Sequence, residues 1–63
     1  MTIGSAIKKH RTSRGWSLRR LARLIGYSHV AIMHWEREAH SPRPTAIERL
    51  EAVFGLPSGG LNE

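Results

Sequence analysis

The sequence predicts an all-α fold, a compact bundle of four to five helices. Apolar residues recur at three- and four-residue spacing in four successive segments, as in helices that pack through one face. Gly and Pro residues separate these segments, and none of them shows the strict alternation of a β-strand. The 63 residues suffice for one domain over 1–63, and the absence of cysteine excludes disulfides and thiolate metal sites.

The first helix is expected over residues 3–14, where Ile3 and Ile7 lie on one side. Arg11 follows Ile7 by four residues and therefore lies at the edge of this apolar stripe. Gly15 suits the left-handed position that often follows a helix.

Two short helices should follow in close succession. Ser17 is a good N-cap for the second helix, which Gly26 ends, and Ser28 is a good N-cap for the third, which runs to about Arg37. Only residues 26–28 separate the two helices. The inward positions of this pair are Leu18, Leu21, Ala22, Ile25, Ile32 and Trp35.

A fourth helix should begin near Arg43 or Thr45, since Pro44 suits a first helical turn, and should end at Gly55. The tail, residues 56–63, is a short fifth helix or a partly ordered segment whose leucines pack back on the core. The apolar stripe of the fourth helix consists of Ala46, Ile47, Leu50, Val53 and Phe54.

The charge is unevenly distributed. The net charge is +5, and residues 1–37 hold eight of the ten Lys and Arg residues but only one of the five acids. A cationic half of this kind favours an anionic polymer as partner, with nucleic acid ahead of a membrane surface. Neither a run of about 20 apolar residues nor a signal peptide is visible, so we expect a cytoplasmic protein that does not enter membranes.

Residues 18–37 have the layout of a helix-turn-helix, two helices joined by a short turn that opens with glycine. Through this segment and beyond, from Ile3 to about Leu61, the chain resembles the lambdoid phage repressor and Cro family, the XRE-type helix-turn-helix domains. The matching residues are Leu21-Ala22, Ile25-Gly26, Ile32, Trp35-Glu36, Pro44 and Phe54-Gly55-Leu56.

The resemblance implies sequence-specific binding of double-stranded DNA and regulation of transcription, mainly repression, with the third helix in the major groove. Imidazoles donate to or accept from purine edges, and Val30 and Met33 suit a thymine methyl group. Core packing is the alternative for Val30 and Met33, although Ile32 and Trp35 already occupy the inward face. The residues expected to contact bases are His29, Val30, Met33 and His34.

Contacts to phosphate are expected at the start of the second and third helices, at the end of the third helix and in the loop that follows it. The family often has Gln where this chain has Leu18, so Arg19 or Arg14 would replace that donor. For Lys8, Lys9, Arg20 and Arg23, direct contact and a merely solvated basic face both remain open. The expected phosphate-contacting residues are Ser17, Leu18, Arg19, Ser28, Arg37, Arg43 and Arg14.

The resemblance also implies an ion pair between Arg11 on the first helix and Glu36 near the end of the third. Glu38 is a departure, because the family usually has Gly after the third helix, and the following loop is one residue longer than in short phage repressors. Both differences leave the path of residues 38–43 undetermined from the sequence.

Other functions are disfavoured by the residue pattern. No nucleophile–base pair or phosphate-binding glycine loop is present, so we expect neither an enzyme nor a cofactor. His29 and His34 are five residues apart and face different directions on a helix, so no metal site is expected. One alternative is an antitoxin or another regulator that binds partner proteins with the same fold. A second alternative is a basic peptide that binds a membrane surface, but the regular pattern of core residues favours a packed domain.

The related domains bind palindromic operators as dimers, with half-sites about 34 Å apart. In those domains the dimer contact usually involves the last helix region, here residues 56–61, whose glycines disfavour a helix. We therefore expect a weak or DNA-induced homodimer. From the resemblance we also expect the protein in a bacterial nucleoid or a phage-infected cell.

Overall fold

Four α-helices and a terminal turn make up the fold in a computed structural model, which describes residues 2–62. The all-α prediction is confirmed, and no strand occurs within the described range. No helix in that range has both the length and the hydropathy needed to cross a bilayer. The elements are α1 (Ile3–Ser13), α2 (Leu18–Ile25), α3 (His29–Glu36), α4 (Pro44–Phe54) and a 3-10 turn (Gly60–Asn62).

Local capping defines where the helices begin. The hydroxyl of Ser17 accepts a hydrogen bond from the Arg20 amide at 3.0 Å, and that of Ser28 accepts from the Ala31 amide at 3.1 Å. Both predicted N-caps are therefore confirmed. Thr2 caps α1 in the same way and forms a reciprocal capping box with Ser5, a signal that our sequence analysis did not use.

All four helices and the terminal turn contribute to one core. Ile7, Leu21, Ile32 and Leu50 are fully buried, so each helix supplies at least one side chain that water does not reach. The predicted inward pair of α3 is confirmed as well, since Trp35 is also buried. The remaining buried apolar residues are Ala6, Ala22, Ile25, Ala46, Phe54 and Leu61.

The tail returns to the core, as its leucines suggested, but as a 3-10 turn and not as a fifth α-helix. Leu61 is fully buried, and its amide donates a hydrogen bond to Glu51 Oε2 at 3.2 Å. Glu51 is itself buried in α4, a burial that the apolar pattern of that helix did not predict. The carboxylate therefore fastens the terminal turn to α4.

α1 and α3 approach each other closely at Gly4. A Cβ atom at this position would collide with the carbonyl oxygen of Trp35 and lie 3.2 Å from the Glu38 side chain. Glu38 follows α3 in a left-handed conformation, with φ 64°, that is unfavourable for a residue with a Cβ atom. This left-handed conformation explains why the family usually has Gly at this position. In this chain the backbone keeps the same conformation although the residue is Glu.

Candidate nucleic-acid interface

The turn between α2 and α3 is held by contacts from both sides. Gly26 adopts φ 76°, and its amide donates to the Ala22 carbonyl at 2.8 Å. From α4, the guanidinium of Arg49 donates to the carbonyl of Ile25 at 3.0 Å and completes the end of α2. Sequence reasoning did not identify Arg49, because this contact joins residues 24 positions apart.

Aromatic packing fixes the orientation of α3 beneath this turn. The Tyr27 ring meets the Trp35 ring edge-on at 5.4 Å between centroids, and Ile32 is fully buried beside them. Because Ile32 and Trp35 occupy the inward face, the opposite face of α3 points away from the core.

Of the four residues expected to contact bases, Val30, Met33 and His34 lie on that outward face, and His29 lies at its edge in the first turn of α3. Val30 is 43% exposed, and His29, Met33 and His34 are half-buried. Neither Val30 nor Met33 belongs to the core cluster, so the core-packing alternative for these two residues is not what the structure shows. The imidazole of His34 meets that of His40 at 5.1 Å between centroids, and His40 is a neighbour that our sequence analysis did not use.

The expected phosphate ligands occupy different environments. Arg19, Arg37 and Arg43 are exposed, and Arg43 is the N-cap residue of α4. The hydroxyls of Ser17 and Ser28 already accept amide hydrogen bonds as caps. The Leu18 side chain is half-buried and packs against the core, so only its backbone amide is available for an anion.

Arg14, which was expected as a substitute phosphate ligand, is exposed and contacts other residues of the fold. Its guanidinium donates to the carbonyl of Phe54 at 2.7 Å, at the end of α4, and to the carbonyl of His10 at 3.0 Å. It also lies 5.1 Å from the centre of the Phe54 ring. The structure therefore gives Arg14 a role within the fold, because the Phe54 carbonyl lacks an intrahelical donor and accepts from this cation.

A cationic depression of about 230 Å³ adjoins the outward face of α3. Lys8 and Arg37 border it, and Leu18 and Met33 lie in its wall beside the Arg11–Glu36 pair. Lys8 is exposed and borders the same depression as Leu18, at the start of α2. Its position one turn before Arg11 was the signal that placed it on this side of α1.

Arg11 and Glu36 hold the floor of this depression in place. Arg11 Nε lies 2.7 Å from Glu36 Oε2, and Arg11 Nη1 donates to the carbonyl of Trp16 at 2.8 Å. The contact expected from the resemblance is therefore present in the structure. It connects α1, the segment before α2 and the end of α3 at one point.

Comparison with known proteins agrees with this geometry. Residues 7–61 match the model of the family described as helix-turn-helix, and the chain belongs to that family. The predicted resemblance to phage repressors is confirmed, since the P22 c2 repressor in complex with a synthetic operator has the same fold. The TM-score is 0.92 at 24% identity, over 100% of this chain and 96% of the repressor chain.

Two further comparisons extend the match. SinR, described as the master regulator for biofilm formation and solved in complex with DNA, gives a TM-score of 0.86 at 30% identity, over 95% of this chain and 97% of that chain. Uncharacterized HTH-type transcriptional regulators of Mycobacterium tuberculosis and Mycobacterium bovis are 39% identical over 58 residues. That alignment covers 92% of this chain but only 23% of each relative, so the chain spans about a quarter of their length.

Proposed function

We propose that this chain binds double-stranded DNA in a sequence-specific manner and regulates transcription, as a repressor, with α3 in the major groove. The observation that carries the proposal is the outward face of α3. There Val30, Met33 and Arg37 follow one another at three- and four-residue spacing, outside the core, on a helix whose opposite face is fully buried. Such a helix can enter the major groove without losing any contact within the domain.

The chemistry of this face suits base edges. Val30 and Met33 offer apolar contact to thymine methyl groups, while the imidazoles of His29 and His34 exchange hydrogen bonds with purine N7, O6 or N6 groups. The preferred sequence follows from these four side chains. It therefore differs from that of relatives that carry amides at the same places.

Phosphate contacts position the helix and supply most of the salt-dependent affinity. We assign them to the exposed cations Arg19, Arg37 and Arg43, to Lys8 at the edge of the cationic depression, and to the backbone amide of Leu18 at the start of α2. Ser17 and Ser28 contribute through the amides of the helix starts that they cap.

The partner and location follow from the same proposal. The titles of the P22 c2 repressor and SinR structures describe complexes with DNA, which supports double-stranded DNA as the ligand here. We infer a palindromic operator bound by a weak or DNA-induced homodimer, and a location in the cytoplasm, at the nucleoid. The role is binding and not catalysis.

Selection from a random duplex library with the purified chain tests this function. We expect one enriched motif, with two half-sites about 10 base pairs apart if two copies bind. The Met33→Ala variant should bind the selected site more weakly by about 1–3 kcal/mol and accept more bases at one position. Enrichment of no motif, or an unchanged motif for variants at all four positions, would reject sequence-specific reading by α3.

The oligomeric state needs a separate measurement. In sedimentation without DNA, the chain should be monomeric at low micromolar concentration, and two copies should assemble on the selected duplex. A stable dimer without DNA would contradict the weak-dimer proposal and leave DNA binding itself intact.

A further inference from the structure

Leu24 is an exposed apolar side chain that the proposed DNA-binding function does not use. Among the described residues, only Leu24 and Val30 are large apolar side chains classed as exposed, at 48% and 43%, and Val30 already belongs to the outward face of α3. Leu24 lies on α2, beside an open depression of about 580 Å³ between α2 and α4. Leu24 is not an isolated apolar residue, because the exposed Ala52 and the half-buried Val53 of α4 border the same depression, and an apolar patch beside a concave surface indicates a contact with another molecule.

The depression combines apolar walls with a cationic rim. Its apolar lining includes Leu24 of α2 and Ala52 and Val53 of α4, and its cationic lining consists of Arg23 and Arg49. No acidic side chain contributes to its lining. Its chemistry therefore suits a ligand that offers both an apolar group and negative charge.

Arg49 is held in position before any ligand arrives. Its guanidinium donates to the Ile25 carbonyl at 3.0 Å and lies 5.7 Å from the centre of the Tyr27 ring. A third cation, Arg20, borders Leu24 from the preceding turn of α2. Because these contacts already restrict the Arg49 side chain, its pairing with a carboxylate would cost less side-chain entropy.

We propose that this depression, named here the α2–α4 groove, docks an acidic amphipathic helix of a partner protein. An apolar side chain of the partner would lie between Leu24 and Val53, and its acidic groups would meet Arg20, Arg23 and Arg49. This is the helix-in-groove mode of recognition, in which apolar anchors give affinity and charge gives orientation.

Two other occupants fit the groove less well. In a symmetric contact with a second copy, the same patch meets itself, so the arginines around Leu24 would face each other. DNA phosphates would use the arginines but would leave the apolar side chains without a partner. Leu24 lies about 140° and Arg20 about 100° around α2 from Arg19, so these two residues lie away from the DNA-binding side, and Arg23 lies between the two sides.

A titration with a designed peptide tests the proposal. The probe is a helical peptide of about fifteen residues with leucines four positions apart and Glu on the flanking positions, and the matched probe carries Gln in place of Glu. NMR spectra of the isotope-labelled chain should shift at residues 20–26 and 49–53. We expect submillimolar affinity for the acidic peptide, and at least about tenfold weaker binding for the Gln peptide or for the Leu24→Ser variant.

The controls separate the groove from its alternatives. Val30→Ser removes the other exposed apolar side chain and should leave peptide binding unchanged, and thermal melting checks that both variants fold. The proposal is overturned by shifts confined to α3, by no shift at about 1 mM peptide, or by equal binding to Leu24→Ser. It is also overturned by a concentration-dependent dimer that Leu24→Ser abolishes. Equal losses of random-duplex affinity in Arg20→Gln and Arg19→Gln would overturn it as well.

Discussion

Arg11 and Glu36 join α1 to the end of α3 through two parallel hydrogen bonds. Arg11 Nε lies 2.7 Å from Glu36 Oε2, and Arg11 Nη2 lies 3.1 Å from Glu36 Oε1. The two side chains are 13% and 8% exposed, so both charges are largely removed from water. The third donor group of Arg11 reaches the carbonyl of Trp16, which leaves this guanidinium well satisfied.

Removal of one of these two residues should therefore lower the free energy of unfolding by more than the intact ion pair contributes to it. We expect Arg11→Ala to lower the free energy of unfolding by about 3 kcal/mol, because Glu36 is left as a largely buried charge without its cation. Urea denaturation measures this loss. The double variant Arg11→Met with Glu36→Leu should be more stable than Arg11→Ala, and an unchanged melting temperature for Arg11→Ala would contradict the argument.

A substitution at Glu38 should raise the free energy of unfolding. Its φ of 64° is left-handed, and glycine adopts this conformation without the steric penalty of a Cβ atom. Glu38→Gly should raise the free energy of unfolding by about 1 kcal/mol, measured by urea denaturation. Glu38→Gln removes the charge and keeps the strain, so it should change little; equal stabilisation by both variants would attribute the effect to charge.

Gly4 tests the close approach of α1 to α3. Alanine is the better helix former by about 1 kcal/mol, so helix propensity alone predicts that Gly4→Ala stabilises the fold. The structure predicts a loss of about 2 kcal/mol instead, because the new Cβ atom would push against the Trp35 carbonyl and force the helices apart. Thermal melting decides the sign, with Lys9→Ala on the exposed side of α1 as the control.

A substitution at Arg14 tests whether this cation stabilises the fold or contacts DNA. Arg14→Gln removes the donor to the Phe54 carbonyl and should lower the free energy of unfolding by about 1 kcal/mol. Affinity for the selected duplex should stay the same under conditions where the variant is fully folded. A loss of affinity together with a smaller salt dependence, at unchanged stability, would return Arg14 to the phosphate-contacting set.

The sequence predicted what depends on neighbouring residues. Ser17 and Ser28 cap helices within three residues of themselves, and Gly26 ends α2 locally, so the helix-turn-helix and the outward face of α3 followed directly. The resemblance to phage repressors added the Arg11–Glu36 contact, which spans 25 residues.

Contacts between distant segments of this particular chain were not predictable. Arg14 reaches a carbonyl 40 residues away, and Arg49 reaches one 24 residues away, and no local spacing encodes either contact. Glu51 is similar, since its burial depends on how the tail returns over α4. The left-handed conformation of Glu38 was also not predicted, because glycine is the usual sequence signal for this conformation and the residue here is Glu.

The salt dependence of binding tests the assigned phosphate contacts one cation at a time. Each neutralised phosphate contributes a slope of about −0.9 in a plot of log K against log salt concentration. Arg43→Gln and Arg37→Gln should each reduce the slope by about 1 and weaken binding to all sequences alike, because we assign these exposed cations to phosphate contacts and not to bases. Arg20→Gln, on the side of α2 assigned to the α2–α4 groove, should leave the slope unchanged. If Arg20→Gln reduces the slope as much as Arg43→Gln does, the DNA-binding face includes the outer side of α2 and the division between the two surfaces is wrong.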